Sequence, residues 1–166
     1  MSDENTVSVT VIYKDVKVVF TGEPSQVLSS TTSFLSKEIP SLDLAYKISL
    51  NYSVSEMIEL FSDNVLITPE GPRVWDKDGG LSDKLVIGLQ LVASKIASIL
   101  GKAPSPNLSL QEIESLTNLK SKSISSRISE MSKLGYIEKE QRDHTIAYGL
   151  TTIGVKWLSG SLPKHS

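Results

Sequence analysis

Apolar and polar residues alternate from Val7 to Tyr13 and, after Lys14 and Asp15, alternate again from Val16 to Phe20. A period of two across a two-residue break predicts a β-hairpin with one buried face. A helical spacing of apolar residues then begins after Pro24, which suits the first turn of a helix, and Pro40 ends it. The chain therefore opens with two strands and a helix.

The next segment predicts two further helices and a strand. Ser41 can cap a short helix through Ile48, and Ser53 with Glu56 has the spacing of a capping box. Residues 64–68 read as a strand, which the turn-forming run 69–72 closes. We interpret residues 1–75 as a small α+β domain of order ββαααβ, and the polar residues 76–81 as a linker.

A long amphipathic helix is predicted from Ser82 to about Leu100, with Gly101 as its C-terminal cap. Near-heptad spacing has two interpretations: the stripe packs inside its own domain, or it forms the seam of a homodimer. A twin could pair instead along the open strand edge at residues 16–20. The seam residues are Leu85, Leu89, Val92, Ile96 and Ile99.

The order of elements in residues 82–166 is more specific. Ser109 and Glu112 open a helix, residues 118–119 break the chain, and a second helix runs from Ser121 to Leu134. Gly135 is placed for a left-handed cap, and two short strands around a polar tip lead to a last helix. Helix, turn, helix, two-stranded wing and helix is the plan of a winged helix-turn-helix domain.

Two sequence motifs extend this likeness beyond element order. The run SSRISEMSKLGYIEK at residues 125–139 resembles the passage from recognition helix to wing in MarR- and ArsR-type regulators. LTTIG at residues 150–154 resembles the LT-x-x-G that follows the wing in those families, and the whole chain resembles archaeal two-domain DNA-binding proteins. The resemblance implies an α+β protein that contacts DNA through its C-terminal half.

Charge and composition agree with this reading. Residues 1–81 hold 6 Lys/Arg and 12 Asp/Glu, a net charge of −6, whereas residues 82–166 hold 11 and 7, a net charge of +4. A basic half favours an anionic partner. With no cysteine, an acidic N-terminus and no long apolar run, we expect a cytoplasmic protein without a membrane partner, associated with the nucleoid where it binds DNA.

The candidate DNA contacts lie on the second helix and the wing. Short polar side chains near bases and cations near phosphates suit a helix in the major groove, and Arg127 is the best candidate for a guanine contact. The serines also have a plainer interpretation as capping and solvation, and the wing charges as a solvated face. The candidates are Lys120, Ser121, Lys122, Ser123, Ser125, Ser126, Arg127, Lys139, Arg142, His144 and Thr145.

Catalytic chemistry has little to rest on in this sequence. It has only two histidines, which argues against a histidine-based metal site, and it has no nucleophile elbow or glycine-rich phosphate loop. We therefore expect a non-enzyme without cofactor.

Three functions remain open. The first is a transcriptional regulator or chromatin-associated factor that binds duplex DNA, with the N-terminal domain contacting a protein partner or a twin. The second is a winged-helix adaptor between proteins of a transcription, replication or repair complex. The third is a single-stranded DNA-binding protein, which would need exposed aromatic side chains on a basic groove.

Overall fold

The computed structural model describes residues 6–39 and 50–163, which form a mixed α+β protein. The chain divides into two compact units between Ser49 and Leu50. The helix predicted from Ser41 to Ile48 lies outside the described residues. None of the helices in the described ranges is long and apolar enough to cross a membrane.

The first unit contains the predicted hairpin and the helix after it. Strands β1 (Val7–Tyr13) and β2 (Val16–Gly22) pair antiparallel, and Lys14 adopts φ 51° in the two-residue turn. Helix α1 (Pro24–Glu38) contacts both strands, with Phe20 and Phe34 5.9 Å apart between ring centroids. Val27 is the one apolar side chain of residues 6–39 that is fully buried, so this unit has a small core.

The second unit contains five helices and five short strands within residues 50–163. Its elements are α2 (Val54–Phe61), β3 (Val65–Thr68), β4 (Gly71–Val74), α3 (Asp83–Ile99), β5 (Leu108–Ser109), α4 (Leu110–Thr117), α5 (Ser121–Lys133), β6 (Ile137–Arg142), β7 (Thr145–Leu150) and α6 (Thr152–Ser161). Strands β3 and β4 form one antiparallel hairpin, while the other three strands form a sheet of order β5-β7-β6.

The division of the chain differs from the predicted one, which placed residues 1–75 in one domain and a linker at 76–81. Residues 69–70 form the turn into a further strand, β4, in which Pro72 pairs with Ile67. In the sequence, Pro69 and Pro72 indicate the end of a domain. Met57 and Phe61 of α2 belong to the same core as α3, because both side chains are almost fully buried against it. Burial of these side chains places residues 50–75 in the second unit.

Helix α3 is the centre of that core. It contacts α2, both hairpin strands, α4, α5, β7 and α6, and every residue from Ile87 to Ser94 is buried. A helix surrounded on all sides packs inside its own domain. The predicted dimer seam is therefore wrong: Leu89 and Val92 are 0% exposed, Ile96 is 2% exposed and Leu85 is half-buried. Ile99, at the end of the helix, is the one seam residue that is exposed.

The LTTIG segment joins the last helix to the turn after α5. The Thr151 hydroxyl accepts from the Gly154 amide at 3.0 Å and donates to the Gly135 carbonyl at 2.7 Å. A Cβ on Gly154 would lie 2.2 Å from the Tyr136 carbonyl oxygen, so only glycine fits there. This close packing fixes the start of α6 against the segment that leads into β6.

Candidate nucleic-acid interface

Helix α5 presents a polar stripe to solvent along its whole length. Its buried face carries Ile124, Ile128 and Met131, which pack into the core. The opposite face is exposed and carries hydroxyl groups, with a lysine near each end. The stripe consists of Lys122, Ser125, Ser126, Ser129 and Lys133. Residues three and four apart share one side of a helix, so these side chains are neighbours.

The first turn of α5 also has donors to offer. Lys120 occupies the N-cap position and makes no side-chain hydrogen bond to that turn. The backbone amides of this first turn can therefore donate to an anion, and the positive end of the helix dipole favours such binding. Ser121 is exposed, whereas Ser123 is half-buried and its hydroxyl donates to the Asp83 carboxylate at the start of α3. Ser123 therefore holds the helix in place.

Arg127 lies beside the stripe and is already paired. Its Nη1 donates to Glu130 Oε2 at 2.8 Å, and Glu130 also accepts from Lys84 of α3. The hydrogen bond from Lys84 holds the pKa of Glu130 below its ordinary value, and Arg127 lowers the pKa further. The Arg127 side chain is 42% exposed, and Glu130 competes with a base for its guanidinium group.

One residue of the β6–β7 hairpin, which corresponds to the predicted wing and is called the wing from here on, joins the stripe. Lys139 of β6 is exposed and lines a groove of about 350 Å³ together with Ser125, Ser129 and Lys133 of α5. Among the described residues no acidic side chain forms an ion pair with Lys122, Lys133 or Lys139. The structure thus brings cations and hydroxyl groups from two elements to one groove, which we call the α5–wing groove.

The wing tip has a different arrangement. Arg142 Nη2 donates to Glu112 Oε2 at 2.7 Å, and its Nη1 donates to the Asn107 carbonyl at 3.2 Å. Burial raises the pKa of Glu112, but hydrogen bonds from Ser109 and Arg142 outweigh it and leave the pKa below its ordinary value. Asn107 Nδ2 donates to Glu140 at 2.6 Å, so β6 is held to α4 through Glu112 and to the residue before β5 through Asn107. His144 and Thr145 are exposed at this end.

The predicted contacts therefore separate into two groups. Lys120, Ser121, Lys122, Ser125, Ser126 and Lys139 are exposed on the α5 side, while Arg142, His144 and Thr145 lie at the wing tip. Ser129 and Lys133 line the groove and were missing from the prediction. Their signal was present, since Ser125, Ser129 and Lys133 repeat every four residues on the exposed side of the helix.

The net charge of the second unit differs from that of residues 82–166 alone. Residues 50–166, which form the second unit, hold 13 Lys/Arg and 13 Asp/Glu, a net charge of 0. The excess of +4 over residues 82–166 is therefore offset by the acidic segment 50–81, which belongs to the same unit. Positive charge is a local property of the α5–wing groove.

No protein-family model matches this chain, and neither does any curated protein. In residues 6–39 and 50–163 no group of three metal-ligating side chains comes together.

Proposed function

We propose that residues 82–163 form a winged helix-turn-helix and that the α5–wing groove binds the phosphate backbone of duplex DNA. The element order supports the fold: α4, a left-handed turn at Asn118 with φ 58°, α5, then the antiparallel pair β6 and β7. In such domains the second helix of the pair enters the major groove. Here that helix is α5.

The observation that carries the proposal is the stripe of hydroxyl groups with a lysine near each end, together with Lys139 across the groove. Lysines suit phosphate oxygens as point charges, and serine hydroxyls donate to phosphate or bases with little base discrimination. Duplex DNA with a weak sequence preference is the ligand that this surface fits. Transcriptional regulation or chromatin association is the corresponding role.

Two features limit the alternatives. A single-stranded ligand would need aromatic platforms, and the residues that line the groove include one, Tyr148, which is only 8% exposed. A protein adaptor would need an exposed apolar face there, whereas the exposed stripe residues are serines and lysines. Both observations favour duplex DNA.

The test is a salt titration of the full chain with labelled duplex, labelled single strand and a polyanion such as heparin, followed by fluorescence anisotropy. Three or four phosphate contacts give a log–log slope of about −3 for duplex. We expect duplex to bind more tightly than the single strand of equal length at 0.1 M salt. Equal binding of all three ligands would reduce the surface to a nonspecific anion site, and no binding at low salt would remove the proposal.

We also propose a homodimer, now through the first unit. In residues 6–39 the hairpin has two strands only, and Ile12, Val16 and Val19 are 71%, 47% and 54% exposed. An unpaired strand edge beside apolar side chains favours pairing with a twin. Light scattering is expected to give about twice the chain mass of 18.1 kDa, and Val19→Lys to reduce it to the monomer mass. A monomeric wild-type chain at micromolar concentration would contradict this.

A further inference from the structure

A second concave site lies away from the α5–wing groove, within the same unit. It is a cavity of about 270 Å³ between the β3–β4 turn, the middle of α3 and the loop that leads to β5. Pro72, Pro104, Leu108 and Leu116 supply apolar walls. The volume falls just below the roughly 300–1,000 Å³ of typical ligand pockets, so only a small occupant fits.

Ser94 lines this cavity and has an unmet hydrogen bond. The residue is 1% exposed, and its Oγ has no hydrogen-bond partner within the described residues. One turn earlier on the same side of α3, Gln90 Nε2 donates to the Pro72 carbonyl at 3.1 Å, while Gln90 Oε1 is also without a partner. A buried polar atom without a hydrogen-bond partner destabilises a fold. Two such atoms on adjacent turns of the buried middle of α3 therefore indicate a missing partner.

Charge at the cavity is close to balanced. The ionisable residues that line it are Glu70, Lys102 and Glu112, and Glu112 is neutralised by Arg142 of the wing. Glu70 and Lys102 carry opposite charges. These residues offer a charged ligand no net electrostatic attraction. An apolar molecule with one hydroxyl group matches the apolar walls and the Ser94 hydroxyl group.

We propose that this cavity binds a small uncharged molecule that carries a hydroxyl group on an apolar body, with the hydroxyl hydrogen-bonded to Ser94 Oγ. Ser94 acts as the recognition residue, since a hydroxyl group can both donate to and accept from the side chain. The proposal stands apart from DNA binding, because no residue that lines this cavity also lines the α5–wing groove.

The experiment is an NMR titration of the isotope-labelled full chain with phenol and with toluene, which differ by one hydroxyl group. We expect both to shift amide signals of α3 near Ser94 and of residues 102–108, with phenol the tighter ligand. In Ser94→Ala the cavity remains while the hydroxyl is lost, so phenol affinity falls about 3- to 10-fold and toluene affinity does not fall. Ser98→Ala, one turn later on the same helix, is the matched control and keeps the wild-type affinities.

Two results overturn the proposal. Shifts by neither compound, with a crystal structure that places an ordered water on Ser94 Oγ, would make the cavity a hydration site only. Equal loss of both ligands, or of neither, in Ser94→Ala would remove the recognition role of the hydroxyl. The variant is expected to fold, because removing a buried hydroxyl group without a partner leaves stability unchanged or raises it. The melting temperature checks this independently of ligand and of DNA.

Discussion

The α5–wing groove and the wing tip both carry cationic side chains, but those of the groove lack internal partners and that of the tip has two. At the groove, Lys133 and Lys139 are exposed, and no carboxylate pairs with either in the described residues. At the tip, the one arginine is bound to Glu112 and to the Asn107 carbonyl. The sequence alone gives Lys139 and Arg142 equal standing as phosphate contacts.

We infer from this difference that the internal partners of a cation decide whether it is available to a phosphate. An arginine with two internal acceptors positions the wing, and these acceptors compete with a phosphate for its guanidinium group. A lysine beside serine hydroxyls has no such competitor, and its ammonium keeps donors for a phosphate oxygen. We therefore propose that the groove contacts DNA and that the contacts at the tip hold the wing in place.

The largest expected effect comes from reversing charge in the groove. Lys133→Glu with Lys139→Glu is expected to weaken duplex binding at least about 50-fold at 0.1 M salt and to reduce the log–log slope by about 2, because two phosphate contacts are lost. Fluorescence anisotropy measures both. Lys156→Glu together with Lys95→Glu changes the same net charge on α6 and α3 and serves as the control. An equal loss in this control would mean that overall charge, and not the groove, drives binding.

A substitution at Arg127, beside the stripe, tests whether this surface contacts bases in addition to phosphates. Arg127→Ala is expected to cost about 1–3 kcal/mol on preferred duplexes only, since a guanine contact is lost, while Lys122→Ala weakens all sequences alike. Selection from a random duplex library before and after each substitution separates the two effects. An unchanged preference in Arg127→Ala would leave the arginine as the partner of Glu130 only.

At the wing tip the expected loss is in stability. Arg142→Ala is expected to lower the free energy of unfolding by about 0.5–1 kcal/mol, because a partly exposed ion pair is broken. Duplex affinity should stay within about twofold, which we expect for His144→Ala as well, and denaturant unfolding with anisotropy tests this. A loss of affinity like that of the groove variant, with stability unchanged, would move the contact surface to the tip.

The smallest expected effect is on the pH dependence of stability. The pKa of Glu112 is lowered in the folded protein, so its carboxylate stabilises the fold above its ordinary pKa, and this contribution disappears as the pH falls through the lowered value. Glu112→Gln should therefore destabilise the chain at pH 7 and cost less near pH 3. Glu114→Gln on the same helix is the control. Parallel stability curves for wild type and Glu112→Gln would show that the contact does not depend on ionisation.

Local signals in the sequence predicted much of the fold. The hairpin of β1 and β2, the capping boxes at Ser53 and Ser109 and the left-handed Gly135 depend on neighbouring residues, and the structure has all of them. Strand β4 was missed because a proline normally interrupts a strand, whereas Pro72 pairs with one neighbouring strand only.

Long-range packing explains what the sequence could not predict. The apolar spacing along α3 does not reveal that other elements surround the helix. Because they do, Leu89 is buried and cannot form a dimer seam, and residues 50–75 belong to the second unit. Arg142 and Glu112 are 30 residues apart, and nothing in their spacing predicts that they meet. Lys133, in contrast, could have been predicted from the local helical spacing, but the prediction considered only the first turns of the helix.

The most direct test of the account is an NMR map of the full chain with and without a short duplex at 0.1 M salt. We predict that the signals of Lys122, Ser125, Ser126, Ser129, Lys133 and Lys139 shift most, while Arg142 and Asn107 keep their contacts and shift little. A footprint centred on the wing tip or on the β3–β4 hairpin, with the stripe unchanged, would contradict the assignment of the DNA surface to the α5–wing groove.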